Sequence, residues 1–156
     1  MKSRKHEWYD ACFINNISDV NSASKVIGNF IDRQGSSLVG GVVLRKFENL
    51  KQIGFHEKSG MPLSEEYRVF IYAGNVLNIY DYWTDKADVK MSEEDKKWIN
   101  GIACKVKSNF VSVDIARKID GSLVIMEFGD GQVSGLQQLD VIDFYNAFDY
   151  KQNIFV

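Results

Sequence analysis

Two pairs of β-rich runs, each closed by a short glycine-containing turn, restrict this chain more than any other feature of its sequence. Tyr67 to Tyr72 and Val76 to Trp83 are joined by Ala73, Gly74 and Asn75, and Phe110 to Ile119 and Ser122 to Phe128 are joined by Asp120 and Gly121. Strands linked by so few residues must pair antiparallel, because a parallel crossover needs a dozen residues or more. Asp-Gly signals a two-residue turn in which both central residues take positive φ. Between the hairpins, Ser92 with Asp95 three residues on opens a helix that runs to about Lys107. Trp98, Ile99, Ile102, Ala103 and Val106 form its inner face, and acidic residues 93–95 suit its first turn.

Ahead of these elements, Ser18 or Asp19 caps a helix with an apolar face of Val20, Ala23, Val26, Ile27, Phe30 and Ile31, stopped by Gly35. Gly40 and Gly41 open a short strand, Val42 to Phe47, and residues 48–64 read as a loop broken by Gly54, Gly60 and Pro62. A last helix, Val141 to Phe148, is capped by Asp140. The order predicts an α+β fold, mostly antiparallel sheet with helices packed on one side. With 156 residues, one proline and no repeat or low-complexity stretch, the chain reads as a single domain, 1–156.

Composition excludes several functions. A formal charge of −2 argues against nucleic-acid binding; the basic cluster Lys2, Arg4, Lys5 and His6 reads either as a solvated tail or as a local patch. No apolar run approaches the ~20 residues of a membrane span, and no signal-type segment is present, so the expected location is the cytoplasm. Cys12 and Cys104 form no ligand or disulfide pattern and read as buried free thiols. His6 and His56 lack a ligand array, and Ser134 lacks the strand–helix elbow of a hydrolase nucleophile. Tyr80, Tyr82 and Trp83, at strand spacing, can face a ligand, but such an aromatic stripe is more often core.

The second hairpin places two carboxylates together. A two-residue turn at 120–121 pairs Ile119 with Ser122, and counting back from there sets Asp114 opposite Glu127. Opposed residues of an antiparallel pair share a face with Cβ atoms about 5 Å apart. Both faces of this hairpin are largely apolar, as in central, covered strands. Two like charges about 5 Å apart repel by about 3 kcal/mol at an effective dielectric of about 20. Such a pair needs a divalent cation, a basic side chain or a shared proton. Magnesium suits the spacing, since it takes one or two carboxylates together with phosphate oxygens and water. An ion-pair network with Lys118, Arg45 or Arg68 serves equally on these grounds.

Three stretches carry a family resemblance: Glu-Tyr-Arg-Val-Phe at 66–70, Val-Ser-Val-Asp-Ile-Ala at 111–116 and Ile-Met-Glu-Phe-Gly-Asp-Gly-Gln at 125–132. They resemble the C-terminal subdomain of ATP-grasp proteins, in the clade named for two arginines and a lysine. The resemblance implies that ATP and magnesium are the cofactors and that Asp114 and Glu127 are the metal ligands. It implies that Arg45, Lys46 and Phe47 belong to the hinge that contacts adenine. Arg45 and Arg68 become the clade's two arginines, with Arg68 aimed at phosphate and Glu66 at ribose or at the arginine. Lys2, with Lys5 second, takes the part of the nucleotide-binding lysine. Many ATP-grasp enzymes carry a metal-ligating asparagine two residues after the metal glutamate; here Gly129 stands there, and Asp130 is the substitute ligand or a turn cap. The resemblance implies that the family's N-terminal part is not in this sequence, as expected of a fragment, one piece of a split protein completed by a partner chain or missing domain, or a naturally short relative. The implied reaction is ATP-dependent joining of a carboxylate to an amine through an acyl phosphate, both substrates being unidentified. The alternative is a non-catalytic binding or interaction module that retains the fold.

Overall fold

The computed structural model describes residues 10–57, 62–83, 91–137 and 139–152. The chain divides into two compact units, Met1–Phe47 and Glu48–Val156, so a divide falls where the sequence showed no composition break.

In the first unit, helix α1 spans Val20–Gln34. Asp19 caps it by accepting the Ser22 N–H, and Gly35 ends it with φ +51°. A single 3-10 turn, Gly35–Ser37, follows. The expected apolar face is only partly covered: Ala23 is buried, whereas Val20 and Ile31 are exposed. Residues 42–47 are not the expected strand; they form no ladder among the described residues. Val42, Val43 and Leu44 instead line a cavity of about 230 Å³ with Ala11, Cys12, Ile14 and the α1 residues Val26, Ile27 and Phe30.

In the second unit, the stretch read as loop contains a small antiparallel pair, β1 (Gln52–Phe55) and β2 (Pro62–Ser64). The main sheet comprises β3 (Glu66–Tyr72), β4 (Asn75–Asp81), β5 (Phe110–Arg117) and β6 (Leu123–Asp130), in the order β4-β3-β5-β6, all antiparallel. Ala73 and Gly74 both take positive φ, 46° and 76°, as a two-residue turn that follows the strand twist demands. Helix α2 (Glu93–Ala103) starts at Ser92 with the reciprocal Ser92–Asp95 capping box, and helix α3 (Val141–Gln152) follows Asp140, which accepts the Ile142 N–H. Among the described residues no helix is long and apolar enough to cross a membrane.

The α+β class and the antiparallel sheet are as expected, but the helices are not all on one side. Tyr67, Val69, Ile71, Val111, Val113 and Ile115 pack with Ile99 and Ala103 of α2. The alternate residue Phe70 packs with Leu77, Tyr80 and Phe144 of α3. Since side chains alternate along a strand, the two helices lie on opposite faces of the sheet. Each face therefore has its own core, and the middle of β3 is apolar on both sides, with Val69 and Ile71 toward α2 and Phe70 toward α3. Burying each such large apolar side chain contributes roughly 1.5–3 kcal/mol. Strand β6, by contrast, is an edge strand with partly exposed residues, not a covered central one. Both described cysteines are free, as expected, but exposed rather than buried.

Candidate functional site

Strand register brings charged residues into one row. On β3, Glu66 and Arg68 alternate with the core residues Tyr67 and Val69, so they point to the α3 face of the sheet. Arg68 lies opposite Asp114 on β5, and Asp114 lies opposite Glu127 on β6. Three neighbouring strands thus present Arg68, Asp114 and Glu127 side by side, with Glu66 two residues along β3.

The expected Asp114–Glu127 pairing is present, but the route to it differs. The turn is a three-residue loop: Lys118 donates to the Ser122 carbonyl at 2.8 Å, and Gly121 donates to the Lys118 carbonyl at 3.0 Å. Only Gly121 has positive φ, 87°; Asp120 does not. This loop pairs Arg117 with Leu123 and Ile115 with Ile125, one residue out of the expected register. A β-bulge between Asp114 and Ile115 then absorbs Met126 as an extra residue and restores Glu127 to its place opposite Asp114.

Asp114 stands at the centre of the row, and Arg68 fixes it from β3. The Arg68 Nε donates to Asp114 Oδ1 at 2.8 Å and its Nη2 to Oδ2 at 2.7 Å, a bidentate pair. Its Nη1 donates to the Gly135 carbonyl at 2.7 Å, and the guanidinium carbon lies 5.1 Å from the centre of the Tyr82 ring. The side chains of Arg68 and Asp114 are 12% and 9% exposed, so the pair is shielded from solvent, whereas Glu127 on the edge strand is exposed. Hydrogen bonding to Asp114 raises the Arg68 pKa against the opposing effect of burial, and the charge of Glu127 adds to the rise. Burial raises the Glu66 carboxyl; a hydrogen bond from Ser64 opposes this and the Asp114 charge reinforces it.

Behind Asp114 the packing is tight. Ser112 Oγ and Ser134 Oγ are 2.6 Å apart, and Ser134 Oγ donates to the Asp130 carbonyl at 2.7 Å. A Cβ at Gly129 would lie 2.6 Å from Ser112 Oγ and 2.9 Å from Ser134 Oγ. No larger side chain, asparagine included, fits at 129 while these hydroxyls keep their contact. The departure at Gly129 therefore has a local steric cause.

The other expected site residues are not among these opposed strand positions. Asp130 pairs with Val111, on the α2 face, and its carboxylate accepts the Gln132 N–H at 2.9 Å, so it caps the turn and is not brought beside Asp114. Arg45, Lys46 and Phe47 are exposed at the end of the first unit. Lys2 and Lys5 lie outside the described residues. Lys118 approaches Asp120 at 3.3 Å and Glu48 at 4.0 Å rather than the acidic pair. Two partners of Arg68 escaped the sequence reading. The Gly135 carbonyl has no side-chain signature, and strand spacing left Tyr82 open between a core stripe and a ligand-facing position without pointing to Arg68.

Among the described residues no group of three or more His, Cys, Asp or Glu side chains is spaced to hold a metal. The donor set is nonetheless suited to magnesium that also binds phosphate, which needs only one or two protein carboxylates. Three carboxylates share the face with one guanidinium, leaving negative charge for a cation to neutralise. Asp114, although bonded twice to Arg68, keeps further lone pairs.

No curated protein and no solved structure matches the chain. The sequence model of the family described as ATP-grasp domain, R2K clade family 3, matches residues 1–148. With that match extending over nearly its whole length, the chain belongs to family 3 of the R2K clade of ATP-grasp domains.

Proposed function

We propose that this chain binds ATP with magnesium on the Arg68–Asp114–Glu127 face and serves an ATP-dependent carboxylate–amine ligase reaction in the cytoplasm. ATP-grasp domains generally bind ATP and magnesium, and family membership supports ATP-dependent ligase-like chemistry in general. The observation that carries the finer reading is the three-strand row in which a buried aspartate and an exposed glutamate flank one face with a fixed arginine. In this reading Asp114 and Glu127 hold the metal, which when bound neutralises phosphate charge and polarises the transferring phosphoryl group. Arg68 keeps its plane against Asp114 and offers donors to a phosphate oxygen, a task for which a planar, permanently charged fork is suited. Glu66, on the same face, orients a polar group of the nucleotide. Arg45, Lys46 and Phe47 as adenine contacts, and Lys2 or Lys5 as the phosphate lysine, rest on the family resemblance.

One observation favours a second reading, a non-catalytic interaction module. Each oxygen of Asp114 already accepts a hydrogen bond from Arg68, so the charge of the buried acid is balanced without any metal. Calorimetric titration of ATP, with and without magnesium, on the wild type and on Asp114→Asn separates the two. The nucleotide reading expects the variant to lose roughly tenfold or more of the magnesium-dependent affinity while retaining weaker magnesium-free binding. Wild-type chain that ignores ATP in both buffers sinks it in favour of the module.

A further inference from the structure

Arg68 is more tightly constrained than a salt bridge alone requires. A guanidinium has five N–H donors in one plane, and three of these are taken: two by Asp114 and one by the Gly135 carbonyl. These contacts lie along the edges of the group and resist rotation within its plane. They do little to resist tilting out of that plane, because a hydrogen bond tolerates a wide range of angles at the acceptor. The guanidinium carbon sits over the Tyr82 ring, 5.1 Å from its centre, a contact separate from these edge-on bonds that can supply the missing constraint. Tyr82 is itself held: its N–H donates to the Glu66 carbonyl at 2.9 Å, continuing the β3–β4 ladder past the end of β4. Its ring also packs against Trp83, 5.0 Å between centres at 65°. The ring is thus fixed by backbone pairing on one side and by an aromatic neighbour on the other.

We infer that Tyr82 is a positioning residue that sets the plane of Arg68, so that its two remaining donors meet a phosphate oxygen in a fixed direction. The inference rests on the nucleotide reading above and adds to it a residue that touches neither metal nor nucleotide. An aromatic face is what the role requires; the hydroxyl is not part of it. Tyr82→Phe should keep wild-type affinity for ATP with magnesium, whereas Tyr82→Leu, similar in apolar character but without a π face, should weaken it by roughly three- to thirtyfold.

The test is calorimetric titration of ATP with magnesium into the full chain as wild type, Tyr82→Phe, Tyr82→Leu, Arg68→Gln and Arg68→Gln/Tyr82→Leu. A thermal melt of each variant accompanies it. Rescue by phenylalanine, together with disappearance of the leucine effect in the Arg68→Gln background, is the expected pattern, and a merely structural role would not produce that coupling. Wild type that binds while Tyr82→Leu binds equally well overturns this inference alone. So does a leucine effect that persists without Arg68. If Tyr82→Leu fails to fold, Tyr82→Phe decides: loss of affinity in a folded phenylalanine variant counts against the role. Wild type silent toward ATP defeats the nucleotide reading, and this inference with it.

Discussion

Gly129 shows how one missing side chain shapes the site. It sits on β6 two residues from Glu127, and the space where its Cβ would stand is filled by the Ser112 and Ser134 hydroxyls. That contact ties the segment after β6 to β5, and Gly135 of the same segment accepts from Arg68. Gly129→Ala must therefore separate two bonded hydroxyls or push back the strand, and is expected to cost about 1–3 kcal/mol in chemical denaturation. Adding Ser112→Ala removes the closer of the two clashing atoms and should recover part of the loss. An alanine at 129 that leaves stability unchanged would show that the segment yields freely and does not brace Arg68. The sequence showed a glycine at this position but not the reason for it, because the clash involves Ser112 and Ser134, residues 22 apart in sequence. The Asp114–Glu127 pairing was expected from strand alternation and an Asp-Gly turn, whereas Arg68 entered as one ion-pair option and through the family resemblance. The Arg68–Asp114 bond, between residues 46 apart, was open among several ion-pair options until β3 was seen beside β5.

At the scale of elements, the hairpin of β5 and β6 reached the expected pairing by two compensating differences. Asp120-Gly121 predicts a two-residue turn and unbroken pairing; the chain has a three-residue loop and a bulge at Met126. Both contain Asp120 and Gly121, and nothing in an Asp-Gly pair states whether glycine is the second residue of a two-residue loop or the left-handed residue that closes a three-residue one. A bulge has no dependable sequence mark either. The caps, by contrast, were largely legible: Ser92 and Asp140 cap as expected, and of the two candidates Ser18 and Asp19 it is Asp19 that accepts the N–H of its helix. The extra residue gives a prediction. Without a bulge, Met126 would face Asp114 and Glu127 would turn to the opposite side, because a slip of one residue reverses every side chain. Deleting Met126 removes the bulge but leaves Glu127 as the next residue after Ile125, still opposite Asp114. Magnesium-dependent ATP affinity in that variant should stay within about threefold of the wild type. A folded deletion variant that loses magnesium dependence would mean that the bulge's local twist, not the register alone, aims Glu127.

For the molecule as a whole, the second unit is tied together by an ionic centre separate from the candidate site. Arg117, on the α2 face of β5, donates to Glu65 at 2.6 Å, to both oxygens of Asp95 at 3.2 and 2.9 Å, and to the Gly121 carbonyl at 2.9 Å. One guanidinium thereby joins the approach to β3, the start of α2 and the β5–β6 loop. Lys51 reaches Glu65 at 2.6 Å, and the Tyr67 hydroxyl donates to it at 2.6 Å. This centre escaped the sequence reading because its members come from four separate stretches, and Asp95 was already explained as half of a capping box. Burial alone would raise the Glu65 carboxyl, but hydrogen bonds from Lys51, Tyr67 and Arg117 hold it down at about 2, against 4.5 in the open chain. A carboxyl depressed in the folded state stabilises fully above its unfolded value, and that contribution drains away as pH falls through the folded one. The window is therefore about pH 4.5 to 2. Asp95, lowered chiefly by its bond to Arg117, acts in the same direction, so wild type alone would not isolate Glu65. Comparison with Glu65→Gln does. At pH 7 the variant should be about 1–2 kcal/mol less stable, a figure reduced for solvent screening. The gap should close as both proteins are titrated from pH 5 toward 2.5, with denaturant midpoints read at each step. A gap that stays constant across that range would mean that Glu65 contributes by shape and neutral hydrogen bonding, and that the charge on Arg117 is balanced by Asp95 alone.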